Sequence, residues 1–336
     1  MPVIDDDDSP ALDPARLSFR ERVRDGRVVP IISDPAIFDL VLGGFQAFVA
    51  RYARYVKYPG EGQPDLVTLV KYHKHVPQPL DDQVIKSDYL NYVKNHVLRM
   101  ARTAGMDQDT LDSATAQIDK VSASEFANLL GYPSFSGGRS DPLLTVASLP
   151  FKTILTTSPY TFVEDALRRA DKTPRTEVCR WRQDLKDSIK SVIDDEYEPT
   201  EKSPLVYHLL GLDRYPDSLV LTEDDYLDYL GNICQGKDDD RADFIPALVR
   251  RAFSDDLVVL GFSLDSWAFR VLYSGLIKRR GKPGNRGVCG IQLPDTPAEH
   301  SFLQDYVKDY VERETKFQVF WGDLPTYTQR ELQPIQ

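Results

Sequence analysis

The stretch from Phe151 to Ala170 joins an apolar run to a helical pattern through a turn made of hydroxyl residues. Phe151 to Leu155 is short and apolar, as buried parallel strands are. Thr156, Thr157, Ser158 and Pro159 follow, and then Phe162, Val163, Ala166, Leu167 and Ala170 recur at helical spacing. Ser158 suits an N-cap and Pro159 the first helical position, so the helix is expected to begin at once. Taken alone, the segment also reads as a plain capped turn. In a parallel α/β sheet the same junction lies at the carboxyl end of a strand, where ligands bind.

The same alternation runs through the second half of the chain. Candidate strands cover residues 28–32, 151–157, 204–210, 257–261, 288–293 and 317–321. Helices between them carry legible starts. Thr222 with Asp225 resembles a capping box, Thr296-Pro297-Ala298-Glu299 is a full one, and Asp265 can cap the helix carrying Trp267 and Phe269. Alternating strands and helices predict an α/β fold with a doubly wound, mainly parallel sheet. A single helix is expected from about Ala36 to Tyr55. Residues 65–132 show only helical periodicity and are read as an inserted helical module spanning about 59–140. Residues 1–16, with the run Asp5 to Asp8, are expected to be a disordered acidic leader.

Composition excludes several classes. The chain has 336 residues, 41% hydrophobic, with a formal net charge of −11. That charge argues against general nucleic-acid binding and anionic membranes, which need a basic footprint. No apolar run is long enough for a membrane span. Three dispersed cysteines, Cys179, Cys234 and Cys289, point to a reducing cytoplasm and to neither a disulfide framework nor a metal site. His73 and His75 lie two apart in an expected helix, face different directions and are read as solvated. The dense basic loop Lys278–Lys282 with Arg286 reads as a solvated connection or an anion site.

Four stretches, in order, carry a family resemblance: Leu17–Ile37, Ile154–Leu167, Pro204–Leu230 and Asp255–Leu276. Together they resemble the sirtuin-like domains of bacterial conflict and antiviral proteins. In that family the first strand ends in a Gly-Ala-Gly turn, Thr-Thr-Asn-Tyr-Asp comes second, a His-Gly pair third, and a Gly-Tyr-Ser turn completes the set. The resemblance implies a nucleotide-binding sheet and a pocket for NAD or ADP-ribose. It also implies residue positions. Ser33, Asp34, Thr156, Thr157, Gly211, Gly261, Ser263 and Asp265 fall where the family contacts the cofactor. Ser158 stands at the family's asparagine, and His208 lies two residues before Leu210, the position of its histidine.

The departures fall on the chemical positions. Ser33-Asp34-Pro35-Ala36 replaces the glycine turn, losing close backbone approach to a pyrophosphate. Asp34 brings negative charge to where phosphates belong. If His208 and Leu210 share one strand they face the same way, with His208 set back by about 7 Å. The resemblance with these departures implies a degenerate NAD pocket, with NAD or ADP-ribose bound weakly or not at all. The chain is then expected to be a non-catalytic sensing, scaffold or assembly subunit. Its partners would be other proteins of a defence or conflict complex, or further copies of itself. The alternative is an active NAD glycohydrolase using a rearranged site with His208. Protein deacylation fits worst, because family deacylases carry a four-cysteine zinc module.

Overall fold

A computed structural model describes residues 14–62, 64–135, 137–194, 196–235, 244–264, 266–278, 289–293 and 317–335, with isolated positions 305, 309 and 313. Among these residues seven strands form one sheet: β1 Val28–Ile32, β2 Thr153–Thr156, β3 Arg175–Val178, β4 Leu205–His208, β5 Asp256–Leu260, β6 Cys289–Leu293 and β7 Phe317–Trp321. Their spatial order is β3-β4-β2-β1-β5-β6-β7, and every pairing is parallel. Helices cover both faces, so the chain has a Rossmann-like α/β fold.

Strand side chains alternate between two cores. Val28 and Ile32 of β1 join one core, Val29 and Ile31 the other. Val258 and Leu260 of β5 face the first core, Leu257 and Val259 the second. Both faces of the sheet are therefore buried, which is why the strands read as apolar runs.

The connection from β1 to β2 is helical throughout. It comprises α2 Asp34–Val41, α3 Phe45–Tyr55, α4 Leu66–His75, α5 Asp82–Thr103, α6 Gln108–Thr115, α7 Ala123–Leu129 and α8 Pro142–Ser148, with α1 Pro14–Arg24 ahead of β1. The buried residues of these helices, including Phe48, Tyr89 and Phe126, belong to the same core as Val28, Ile154 and Val258. The second face carries α10 Gln183–Ser188, α11 Glu223–Gln235, α12 Ala247–Ala252 and α13 Trp267–Leu272, while α9 Phe162–Arg169 lies in the first core.

Several local expectations change. The helix expected over 36–55 is two helices bent by 97°. Gly43 and Gly44 take φ of +75° and +100°, and the Asp39 carboxylate receives the Phe45 amide at 2.7 Å. Two positive φ values in a row stop a helix, and the side-chain acceptor restarts it. Pro14 to Arg16, placed in the leader, are the first turn of α1. β3 was not anticipated: it is a four-residue edge strand whose first residues, Arg175 and Thr176, are not buried. His73 is not free in solvent; its ring nitrogen meets the Tyr52 hydroxyl at 3.0 Å. The Thr222–Asp225 capping box is present, with Asp225 N donating to Thr222 Oγ1 at 3.2 Å and Thr222 N to Asp225 Oδ2 at 3.0 Å. The box at Thr296 and the basic loop from Arg279 to Arg286 lie outside the described residues. Among the described residues no single helix is long and apolar enough to cross a membrane, and no group of three metal-ligating side chains occurs.

Candidate functional site

The chain leaves β1 on one side for β2 and returns on the other side for β5. The two turns after β1 and β5 therefore flank the point where the strand order reverses, which is where open α/β sheets bind ligands. These turns are locked together. Ser33 Oγ donates to the Gly261 carbonyl at 2.5 Å and accepts the Ala36 amide at 3.1 Å, capping α2. Gly261 has a φ of +70°, and a Cβ there would lie 2.4 Å from the Ala36 methyl. Only glycine lets the two turns pack this closely.

The start of α2 is closed to a phosphate. Asp34 N donates to Thr157 Oγ1 at 3.0 Å, Pro35 has no N–H, Ala36 N is taken by Ser33 Oγ and Ile37 N by the Ser33 carbonyl. Those are the amides a helix terminus offers to an anion. Here protein groups satisfy every one. A pyrophosphate would have to displace them and also meet Asp34, so this turn does not fit the phosphate half of NAD.

Beside these turns opens a cleft holding about 840 Å³ of space not filled by atoms, its mouth included. Ser33, Asp34, Thr157 and Ser263, the positions named from the resemblance, line it. Leu210, at the family's histidine position, lines it too. Tyr226 and Trp267 line it as well, stacked with centroids 6.1 Å apart. Among the described lining residues the charged side chains are Asp34 and Asp65; none is a lysine, arginine or histidine. Burial pushes the Asp34 carboxyl up to about 7, although contact with the Ser158 hydroxyl acts the other way. Its Oδ1 is buried and has no hydrogen-bond partner among the described residues.

Ser158 and His208 lie behind this wall, not in it. Both are fully buried and neither lines the cleft. The His208 ring meets the Ser158 carbonyl at 2.7 Å through Nδ1 and the Glu164 carboxylate at 3.0 Å through Nε2. Burial lowers the basicity of His208, but Glu164, the Ser158 carbonyl and Asp213 together outweigh it and raise its pKa. With an acceptor at each nitrogen, the ring is held as a proton-bearing strut. Strand β4 ends at His208, so the alternation assumed through Leu210 stops there. Residues 209 and 210 turn away, and only Leu210 reaches the cleft.

Ser158 does not cap the following helix either. That helix, α9, begins at Phe162, and Thr161 precedes it without a side-chain cap bond. Tertiary bonds hold the intervening turn. Asp213 N donates to the Pro159 carbonyl at 2.9 Å, and Thr161 N donates to Ser124 Oγ at 2.9 Å. Ser124 in turn donates its amide and hydroxyl to Asp213, each at 2.6 Å. Thr156 is internal as well: its hydroxyl donates to the Ile32 carbonyl and accepts the Ser158 amide, each at 3.0 Å. Gly211 is a packing glycine, since a Cβ there would lie 2.5 Å from the Ser218 carbonyl. Asp265 lies outside the described residues, and the cap of α13 is Ser266, which accepts the Phe269 amide at 3.2 Å.

Sequence reasoning missed Asp65, Tyr89, Tyr226 and Trp267. Tyr89 lies in the stretch 65–132, which shows only helical periodicity, and Trp267 in the helix expected after Asp265. Tyr226 follows a capping box that the sequence displays, but nothing local directs its ring toward β1. Residues 152–311 match the model of the SIR2-like domain family. No curated protein matches the chain.

Proposed function

We propose that this SIR2-like domain is a degenerate member in which NAD cleavage has been lost. It would serve as a ligand-sensing scaffold or assembly subunit of a bacterial defence or conflict complex. The observation that carries this reading is the placement of His208. A general base must reach the proton it abstracts. His208 is buried with both nitrogens engaged, and the described lining of the cleft offers neither imidazole nor carboxamide in its place. The closed start of α2 supports weak binding, or none, for NAD and ADP-ribose. The strongly acidic balance favours protein partners over nucleic acid.

Nicotinamide release from NAD, followed over hours with the full chain, is the test. Little or no release is expected. Robust release would overturn the reading, and its loss in His208→Gln would turn attention to a rearranged hydrolase built around that residue.

A further inference from the structure

Among the described lining residues Asp34 has no counterpart of opposite charge. Its Oδ1 is buried and unpartnered, and a buried acceptor without a donor is costly. Among the described residues the groups facing it add no positive charge. Tyr89 comes from α5, Tyr160 from the turn after β2 and Tyr226 from the start of α11. Burial raises all three phenols, so they stay neutral. Asp65, the N-cap of α4, contributes a second acid, fixed where its Oδ1 accepts the Thr68 amide at 2.7 Å. The lining is also aromatic, with Tyr226 and Trp267 stacked at 28° between planes and Phe262 adjoining the cleft. Aromatic faces attract flat rings and cations. The helix amides that would hold an anion are already used.

We propose that this cleft binds a phosphate-free heteroaromatic cation, with the positive ring held between the Asp34 carboxylate and the Tyr226–Trp267 wall. The inference rests on the reading of the cleft as a binding site where NAD is not cleaved. Binding couples to protonation. A cation favours ionised Asp34, so uptake of the ligand expels a proton wherever Asp34 is still partly protonated. A neutral ring would lack this linkage, and an anionic one would meet two carboxylates.

The probe is 1-methylquinolinium, whose charge is independent of pH, titrated into the full chain by calorimetry and tryptophan fluorescence. Naphthalene-2-carboxylate and ADP-ribose serve as anionic comparisons. Saturable binding is expected, tighter by at least about tenfold at pH about 8.5 than at pH about 5.5, with proton release near neutrality. Asp34→Asn should weaken it by at least about tenfold at the higher pH, with melting temperature confirming that the variant folds. If Asp34→Asn does not fold, the pH series and Trp267→Leu decide, the latter being expected to abolish the fluorescence response. Absence of binding, affinity unchanged with pH or by Asp34→Asn, or tighter binding of either anion would overturn the proposal. The nicotinamide assay is separate: release of nicotinamide sinks the non-catalytic reading, whereas failure of quinolinium to bind sinks only this one.

Discussion

Two acids of similar sequence appearance behave differently because of what surrounds them. Asp256 is buried at the start of β5 and receives the Arg22 guanidinium. Asp34 has no cation beside it among the described residues, and burial lifts it to about 7. In the unfolded chain the same carboxyl titrates near 3.8. The folded state therefore holds a proton that the unfolded state has lost between those two values. Asp34 favours folding fully below about pH 4, and that contribution is lost as pH rises through about 7. His208, also raised, contributes in the same sense at higher pH. Asp34→Asn removes only the first effect. Its stability gain over the wild type, measured by denaturant melts, should be near zero at acidic pH. At pH about 8 it should grow to as much as about 4 kcal/mol, the equivalent of roughly three pKa units. A gain that does not depend on pH would refute this assignment.

At the level of elements, the cleft is made by turns after strands, and each turn depends on a backbone that side chains would obstruct. Gly211, after β4, has a φ of +105°, and a Cβ would meet backbone atoms of Ser218 and Leu219 at 2.5–2.7 Å. Nothing there is a flexible side-chain end, so relief requires moving the segment that carries Leu219 and Val220 into the cleft wall. Gly211→Ala should cost about 3 kcal/mol or more, since positive φ and overpacking act together. Gly131→Ala is the comparison: φ is +74° but a Cβ would meet nothing within 4 Å. Its cost should be about 1 kcal/mol, from strain alone. Equal losses in the two variants, read from thermal melts, would show that close approach is unimportant at Gly211.

Across the whole molecule, the helical connection and the sheet are bound into one body. Lys86 of α5 is buried and reaches Asp225 at the start of α11 at 3.1 Å. Ser124 of α7 holds Asp213, and Arg214 meets Glu125 at 2.9 Å. Helical residues such as Tyr89 and Phe126 share a core with strands β1, β2 and β5. Unfolding should therefore be a single transition, with hydrogen exchange protecting α5 and β1 alike. Lys86→Ala strands the Asp225 carboxylate and should cost about 3 kcal/mol while keeping one transition. Separate melting of the segment around 66–129, in either form, would contradict this.

Much of the frame was legible in the chain because its signals are local. Parallel strands buried on both faces must be short and apolar, so six of the seven were visible, whereas β3 lies at the edge and carries polar residues. The Thr222 capping box was visible because both partners lie within four residues. The positions of Ser33, Asp34, Thr157 and Ser263 came from the family resemblance, and all four line the cleft. The role of Ser158 and His208 did not. Ser158 looks like a cap until Asp213 and Ser124 hold its turn differently, and His208 looks available until Glu164, 44 residues earlier in the chain, is found on its ring. The amino-acid sequence determined which segments become strands and helices, since periodicity and caps act over a few residues. Tertiary structure decided which polar groups face the cleft and which are spent on one another, because burial and partnership arise only when distant segments meet.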